Sequence, residues 1–245
     1  MKASRIKLAV DAVNSNNRRR MTIGLWTAIA LAGIAALTLL SLTSCDDHLV
    51  EDLSWHDWKP GMVYCSNGHV TDFDKCTEDG FVPEAVIFYV DIAGEIEGQA
   101  YAVGLYETAP ESFGRADTVY AVQGTSADYE KSDGESNTVA MRYGNFPSPL
   151  AAALPPKYFI PSVAEYYRLF SARDAVNGTL GLCGGDSLPV SDESCWYWTS
   201  TECKGAERDR AWRYSLFSGR FESEDKHTML PVRPIMMIRL NGKEQ

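Results

Sequence analysis

The hydrophobic pattern divides the chain into a leader, a polar bridge and a folded body. Arg18, Arg19 and Arg20 precede an almost uninterrupted apolar run from Ile23 to Leu42, which closes on LTSC, Leu42 to Cys45. A basic stretch, an apolar run and then small residues make an export signal rather than part of a fold, so residues 1–44 are read as a signal peptide. A start at Met21 instead of Met1 gives that signal a more usual length. Residues 45–60 follow as a polar, acidic tether.

The periods of a packed domain begin near residue 61. MVYC, SNGH and VTDF predict two short strands about an Asn-Gly turn, because both turn residues accept the positive φ of a tight hairpin. AVIFYVD, Ala85 to Asp91, is too short for a helix and predicts a buried strand, and QAYAVGLYE, Gln99 to Glu107, a second one. From Pro110 to Pro156 the pattern dissolves into Gly, Ser, Asp and Asn, which predicts a loop-rich insert with at most a turn or two of helix in SNTVAMRYG. PSVAEYYRLF, Pro161 to Phe170, is the strongest helix. Ser162 and Glu165 have the spacing of a capping box, and Val163, Tyr166, Tyr167 and Phe170 recur on one apolar face. After Gly178 come the strand candidates CWYWTSTE, RAWRYSLF, GRFESEDK and LPVRPIMMIRL. Helices between two groups of strands predict one α+β domain over residues 61–240, with its insert at about 110–156.

Charge narrows the partners. The chain carries 23 basic and 33 acidic residues; removing residues 1–44 takes away six of the former and one of the latter, leaving a net charge of −15. Nucleic acid is a poor partner for such a surface. A hydrophobic content of 45% is ample for a core in a chain of this length. Five cysteines follow Cys45, and outside the cytoplasm bridging is the expectation for them rather than metal binding. Cys65 with Cys76 closes a short loop and is the first candidate disulfide, while Cys183, Cys195 and Cys203 cannot be paired from their spacing. None has the CxxC spacing of a zinc knuckle, and no metal or cofactor is expected.

LTSC resembles the bacterial lipobox, whose cysteine is diacylated before the signal is cut away. That implies a lipid on Cys45 and a membrane partner through this anchor, although the apolar run alone is long enough for a span of about 20 residues. Four further pieces, FIPSVAEYYRLF, YWTSTE, AWRYSLFSGRF and LPVRPI, resemble in order the Lcl C-terminal domain and the related major paralogous domain of bacterial surface lipoproteins. The resemblance covers about Tyr158 to Ile238, is weaker over Gly61 to Glu107, and carries Pro161, Glu165, Trp198 and Arg233 as motif positions. It implies a C-type-lectin-like fold, shared with formylglycine-generating enzymes, and a surface adhesion or binding module. A shared fold does not transfer a reaction. The calcium-ligating Glu-Pro-Asn or Gln-Pro-Asp and Trp-Asn-Asp motifs of sugar-binding lectins are missing, and Cys195 and Cys203 lack the five-residue spacing of the oxidase branch.

In CWYWTSTE, side chains alternate faces, so Trp196, Trp198, Ser200 and Glu202 share one. The family pattern makes Trp198 a core position and leaves Trp196 the freer of the two. Trp196, Trp212, Arg213 and Tyr214 are the candidate ligand contacts, with Gly181 to Glu193, Lys204 to Arg213 and Pro110 to Asn145 as the candidate contact loops. Arg233 is expected to pair with a carboxylate, Glu165 or Glu202. ESEDK, Glu222 to Lys226, lacks the spaced ligands of a calcium loop. Together these point away from an enzyme and toward an envelope lipoprotein, at the outer membrane or cell surface, that binds a glycan or protein. The alternative is a structural or accessory subunit of a surface fibre or envelope assembly, with a formylglycine-generating-type enzyme a distant third.

Overall fold

The computed structural model describes residues 55–91 and 97–241. The expected export signal, Cys45 and most of the expected tether lie outside the described residues. After a 3-10 turn, Trp55–Asp57, the chain forms the hairpin β1 (Val63–Cys65) and β2 (Val70–Thr71), then helix α1 (Phe73–Glu78) and the long pair β3 (Pro83–Asp91) and β4 (Glu97–Gly104). The final strand, β10 (Ile235–Asn241), returns to β4, giving an antiparallel sheet in the order β10-β4-β3-β1-β2. Gly68, in the Asn-Gly turn, has φ of 90°, open to glycine because it has no Cβ. VTDF is only half strand: it ends at Thr71, and Phe73 opens α1. Cys76 of that helix is buried and bridged to Cys65, with the two Cα atoms 6.4 Å apart.

Ala85 to Val90 of β3 form a continuous apolar run because both faces of this sheet are covered. Val86 and Phe88 join the large core beneath helices α4 (Val163–Ser171) and α5 (Arg173–Leu182), whereas Ala85 and Ile87 pack on the other side with Met62, Ala102 and Met236. The capping box at Ser162 is formed in both directions. The buried face of α4 is Val163, Tyr166 and Leu169; Tyr167 is 63% exposed, so the face expected from Tyr167 and Phe170 is rotated. Helix α5 is absent from the hydrophobic pattern. Gly178 and Gly181 dilute its helical propensity, yet Val176 and Leu180, four apart, are fully buried under it.

The second sheet is the antiparallel order β6 (Tyr197–Glu202), β7 (Arg210–Tyr214), β8 (Phe221–Asp225). Every residue of β6 is buried. Tyr197 faces the core of Tyr166 and Tyr214, and Trp198 faces a second core built by the insert.

That insert is not the open loop expected. It contains β5 (Glu111–Ser112), the nearly three-turn helix α2 (Gly134–Tyr143) and the short α3 (Pro149–Ala152), and β5 pairs with β9 (Met229–Leu230). Phe113, Met141, Leu150 and Leu154 pack against Trp198, Ile160 and Ala211. The whole is a mixed α and β domain with short antiparallel sheets and few helices. No helix among the described residues is long and apolar enough to cross a membrane.

Candidate ligand-binding site

The two tryptophans of CWYWTSTE have different surroundings. Trp198 has no exposed surface; its indole N–H donates to the carbonyls of Glu111 at 3.1 Å and Thr228 at 3.3 Å, and its ring meets Phe113 edge-on at 5.6 Å. Trp196 is half-buried beneath the Arg213 guanidinium, 4.3 Å from the ring centroid. Arg213 in turn pairs with Glu222 at 3.0 Å and Glu224 at 2.7 Å. Trp196 and Arg213 are thus already engaged, with the carboxylates of β8 completing the cluster.

Arg233 has no exposed surface, but its partner is not a carboxylate. Its guanidinium donates to the carbonyls of Leu105 at 2.9 Å and Asp186 at 2.7 Å, and its backbone N–H donates to the Tyr166 hydroxyl at 3.0 Å. Glu165 and Glu202, the expected partners, are committed elsewhere. Glu165 accepts the amides of Ser162 and Gly134, and Glu202 pairs with Lys226. Burial lowers the Arg233 pKa, although Tyr197 and Asp186 oppose it.

On the other face of the β7–β8 hairpin lies an open groove of about 340 Å³, whose lining includes Tyr214 but not Trp212 of the remaining expected contacts. Tyr167 of α4 stands on one side; Tyr129 of the insert and Phe221 of β8, with ring centroids 5.5 Å apart, line it as well. These three rings are 63%, 45% and 38% exposed. Trp212 packs edge-on against Phe221 at 5.2 Å and near Tyr129 at 6.5 Å. Tyr214 also lines the groove, but only 1% of it is exposed, which makes it a core residue rather than the surface contact expected. Its ring stacks on Tyr166 at 5.5 Å. The Tyr214 hydroxyl and the Trp212 indole N–H are both buried, and neither has a hydrogen-bond partner among the described residues. Burial raises the pKa of Tyr214, so its hydroxyl keeps its proton and can donate as well as accept. Arg168 and Glu130 add charge of both signs to the lining.

Sequence reasoning named Trp212 and Tyr214 but missed Tyr129, Tyr167 and Phe221. Of the expected contact loops, the insert contributes Tyr129 and Glu130, whereas neither Gly181 to Glu193 nor Lys204 to Arg213 lines the groove.

A larger cleft, of about 670 Å³, lies between the end of β4 and the chain after α3, with Tyr106, Pro110, Pro155, Tyr158 and Pro234 in its lining. Its polar groups are taken. Lys157 pairs with Glu84, the Tyr158 hydroxyl donates to the Glu84 carbonyl at 2.9 Å, and Glu107 accepts from Tyr197 at 2.9 Å. The groove, on which three exposed aromatic rings converge, is the better candidate.

Cys183, Cys195 and Cys203 carry free thiols, so the 65–76 bridge is the disulfide among the described residues. Burial pushes the Cys183 thiol up to about 11 and raises the other two, the direction opposite to that of an activated thiolate. Among the described residues no group of three or more His, Cys, Asp or Glu side chains is placed to hold a metal ion. Compared with protein-family models and with curated proteins, the sequence matches none.

Proposed function

We propose that this chain is an envelope lipoprotein, anchored through an acylated Cys45 at the outer membrane or cell surface, whose domain has the C-type-lectin-like fold and binds a glycan or protein ligand. The observation that carries the binding role is the aromatic groove. Three exposed rings from three separate segments converge on one concavity. Aromatic side chains offer large contact area with few rotatable bonds, and their open clustering on a surface is a mark of recognition. The leader, LTSC and the ordered resemblance to surface lipoprotein domains support the location and the fold. The Cys65–Cys76 bridge suits an oxidising compartment.

The location is tested by feeding cells an alkyne-tagged fatty acid, followed by labelling of intact cells with a membrane-impermeant biotin reagent. The expected result is fatty-acid label on the full chain, lost in Cys45→Ala, together with biotin label on unbroken cells. Absence of lipid label contradicts the anchor. Biotin label only after lysis contradicts surface display.

A further inference from the structure

We propose that Glu165 and Asp133 form a proton-operated latch on residues 125–133 of the insert: protonated, it seats Tyr129 and Glu130 against the groove; ionised, it lets that segment lift away. The latch concerns the segment itself, and its consequence for binding rests on the reading of the groove as the binding site. Tyr129 reaches the groove on a span with few ties to the body. Its backbone bonds are largely local: the Asp128 amide donates to the Ser126 hydroxyl at 3.1 Å, the Glu130 amide to the Asp128 carboxylate at 3.1 Å, and the Lys131 amide to the Asp128 carbonyl at 3.3 Å. Tyr129 meets the body through its ring, against Phe221 and Trp212. The span is fastened at its two ends instead, where the Thr125 hydroxyl donates to Glu202 at 2.7 Å and the Gly134 amide donates to Glu165 at 3.3 Å.

The two ends treat charge differently. At Glu202 the ammonium of Lys226 neutralises the carboxylate. At the other end two carboxyl groups come together: Glu165 is buried, and Asp133 immediately precedes the glycine whose amide Glu165 accepts. One Asp133 oxygen accepts from the Asn137 side chain at 2.8 Å; the other is buried, with no hydrogen-bond partner among the described residues. The groups around the pair do not neutralise it. Lys131 pairs with Asp128, and Glu135 with Arg239 of β10. Arg168, on the same helix as Glu165, lies over the Tyr89 ring at 4.4 Å. The Tyr101 hydroxyl donates to Gln99 and, with its pKa pushed up to about 12, stays neutral. Strand β6 presents the hydroxyls of Ser200 and Thr201. Neighbouring carboxylates withdrawn from water resist ionising together. Burial raises both pKa values, that of Glu165 to about 7, and Asp133 adds to the rise at Glu165. Lifting the segment returns Glu165 toward water and its ordinary value of 4.5. Release therefore becomes easier as pH rises above 4.5, by up to about tenfold per pH unit, and levels off above 7.

The test is hydrogen exchange of the full chain in detergent micelles, read by mass spectrometry at about pH 5, 6, 7 and 8 and corrected for the intrinsic rate at each pH. Protection of residues 126–134 should fall about tenfold per unit from pH 5 to 7 and level off by pH 8. At each pH it should stay below that of Ala85 to Val90, in the core of the first sheet. In Glu165→Gln, whose side chain still accepts both amides, protection should be flat over that range. Asp133→Asn keeps the Glu165 carboxyl and removes the neighbouring charge, so the fall should end at a lower pH and leave the segment better protected at pH 8. No fall in the unaltered chain, an equal fall in Glu165→Gln, or exchange of residues 126–134 in step with Ala85 to Val90 at every pH overturns the latch. No ligand enters the measurement, so failure of the latch and failure of the groove as a binding site are separate results.

Discussion

Glu165 and Glu202 are both withdrawn from water, at 1% and 2% exposed, and both tie the insert to the body of the domain, yet they are held in different ways. Glu202 accepts the Val122 amide at 2.9 Å and the Thr125 hydroxyl at 2.7 Å from the insert, and faces the ammonium of Lys226, itself 3% exposed. Lys226 also donates to the carbonyls of Tyr120 and Glu207. Glu165 has amides as its partners instead: Ser162 at 2.8 Å, in its own capping box, and Gly134 at 3.3 Å, at the start of α2. A Cβ on Gly134 would come within 2.6 Å of the Ile160 carbonyl, so glycine is what lets that helix start so close to the carboxylate. One carboxylate is neutralised by a cation, the other only by helix N-termini. Burial accordingly pushes the Glu165 pKa up to about 7, against the amides that lower it and with Asp133 raising it further.

Removing the cation should have the largest effect. Lys226→Met strands a buried carboxylate, and breaking such a pair costs about 3–5 kcal/mol; urea denaturation should show that loss. The double variant Glu202→Gln with Lys226→Met should recover about half of it or more, since no charge is then left buried alone.

Glu165 brings a pH dependence. Its folded pKa, about 7, is raised above the ordinary carboxylate value of 4.5, so the folded state holds a proton that the unfolded chain has released. Its contribution to stability is fully present below pH 4.5 and is lost as pH rises through 7, an amount of about 3 kcal/mol. Asp133, also raised by burial, acts in the same direction. Denaturation midpoints from pH 4 to 8 should fall across that window, and in Glu165→Gln the slope should flatten. A slope equal in both proteins would mean that Glu165 is not its source.

A smaller effect separates the two roles of Glu165. Ser162→Ala removes the hydroxyl that accepts the Glu165 amide but leaves the link to Gly134, and should cost about 1 kcal/mol, as loss of an N-cap does. It should leave the pH slope in place.

The parts of the fold legible from sequence are those whose signal is local. The Asn-Gly turn, the apolar run of β3, the capping box at Ser162 and the bridge between Cys65 and Cys76 each rest on residues close in the chain. Helix α5 was hidden by its glycines. The insert was hidden because its core residues, Phe113, Val122, Met141 and Leu150, are spread among polar residues and form no period until the fold brings them to Trp198. The groove was less legible still. Tyr129, Tyr167 and Phe221 come from an apparent loop, a misjudged helix face and a hairpin end, and nothing in the order of residues says that they meet. Arg233 carries a similar lesson: a buried cation suggests a carboxylate, but carbonyls at a chain crossing served.

The most direct test of the groove as a recognition site for a glycan, on a stable scaffold, is the thermal midpoint of the full chain and of Tyr167→Ala, each with and without tetra-N-acetylchitotetraose. Tyr167 is exposed, so without sugar the two should unfold alike, within about 0.5 kcal/mol. With sugar, the midpoint of the unaltered chain should rise, as it does for any ligand bound only by the folded state, and that of the variant should not. An equal rise in both, or none in either, would contradict it.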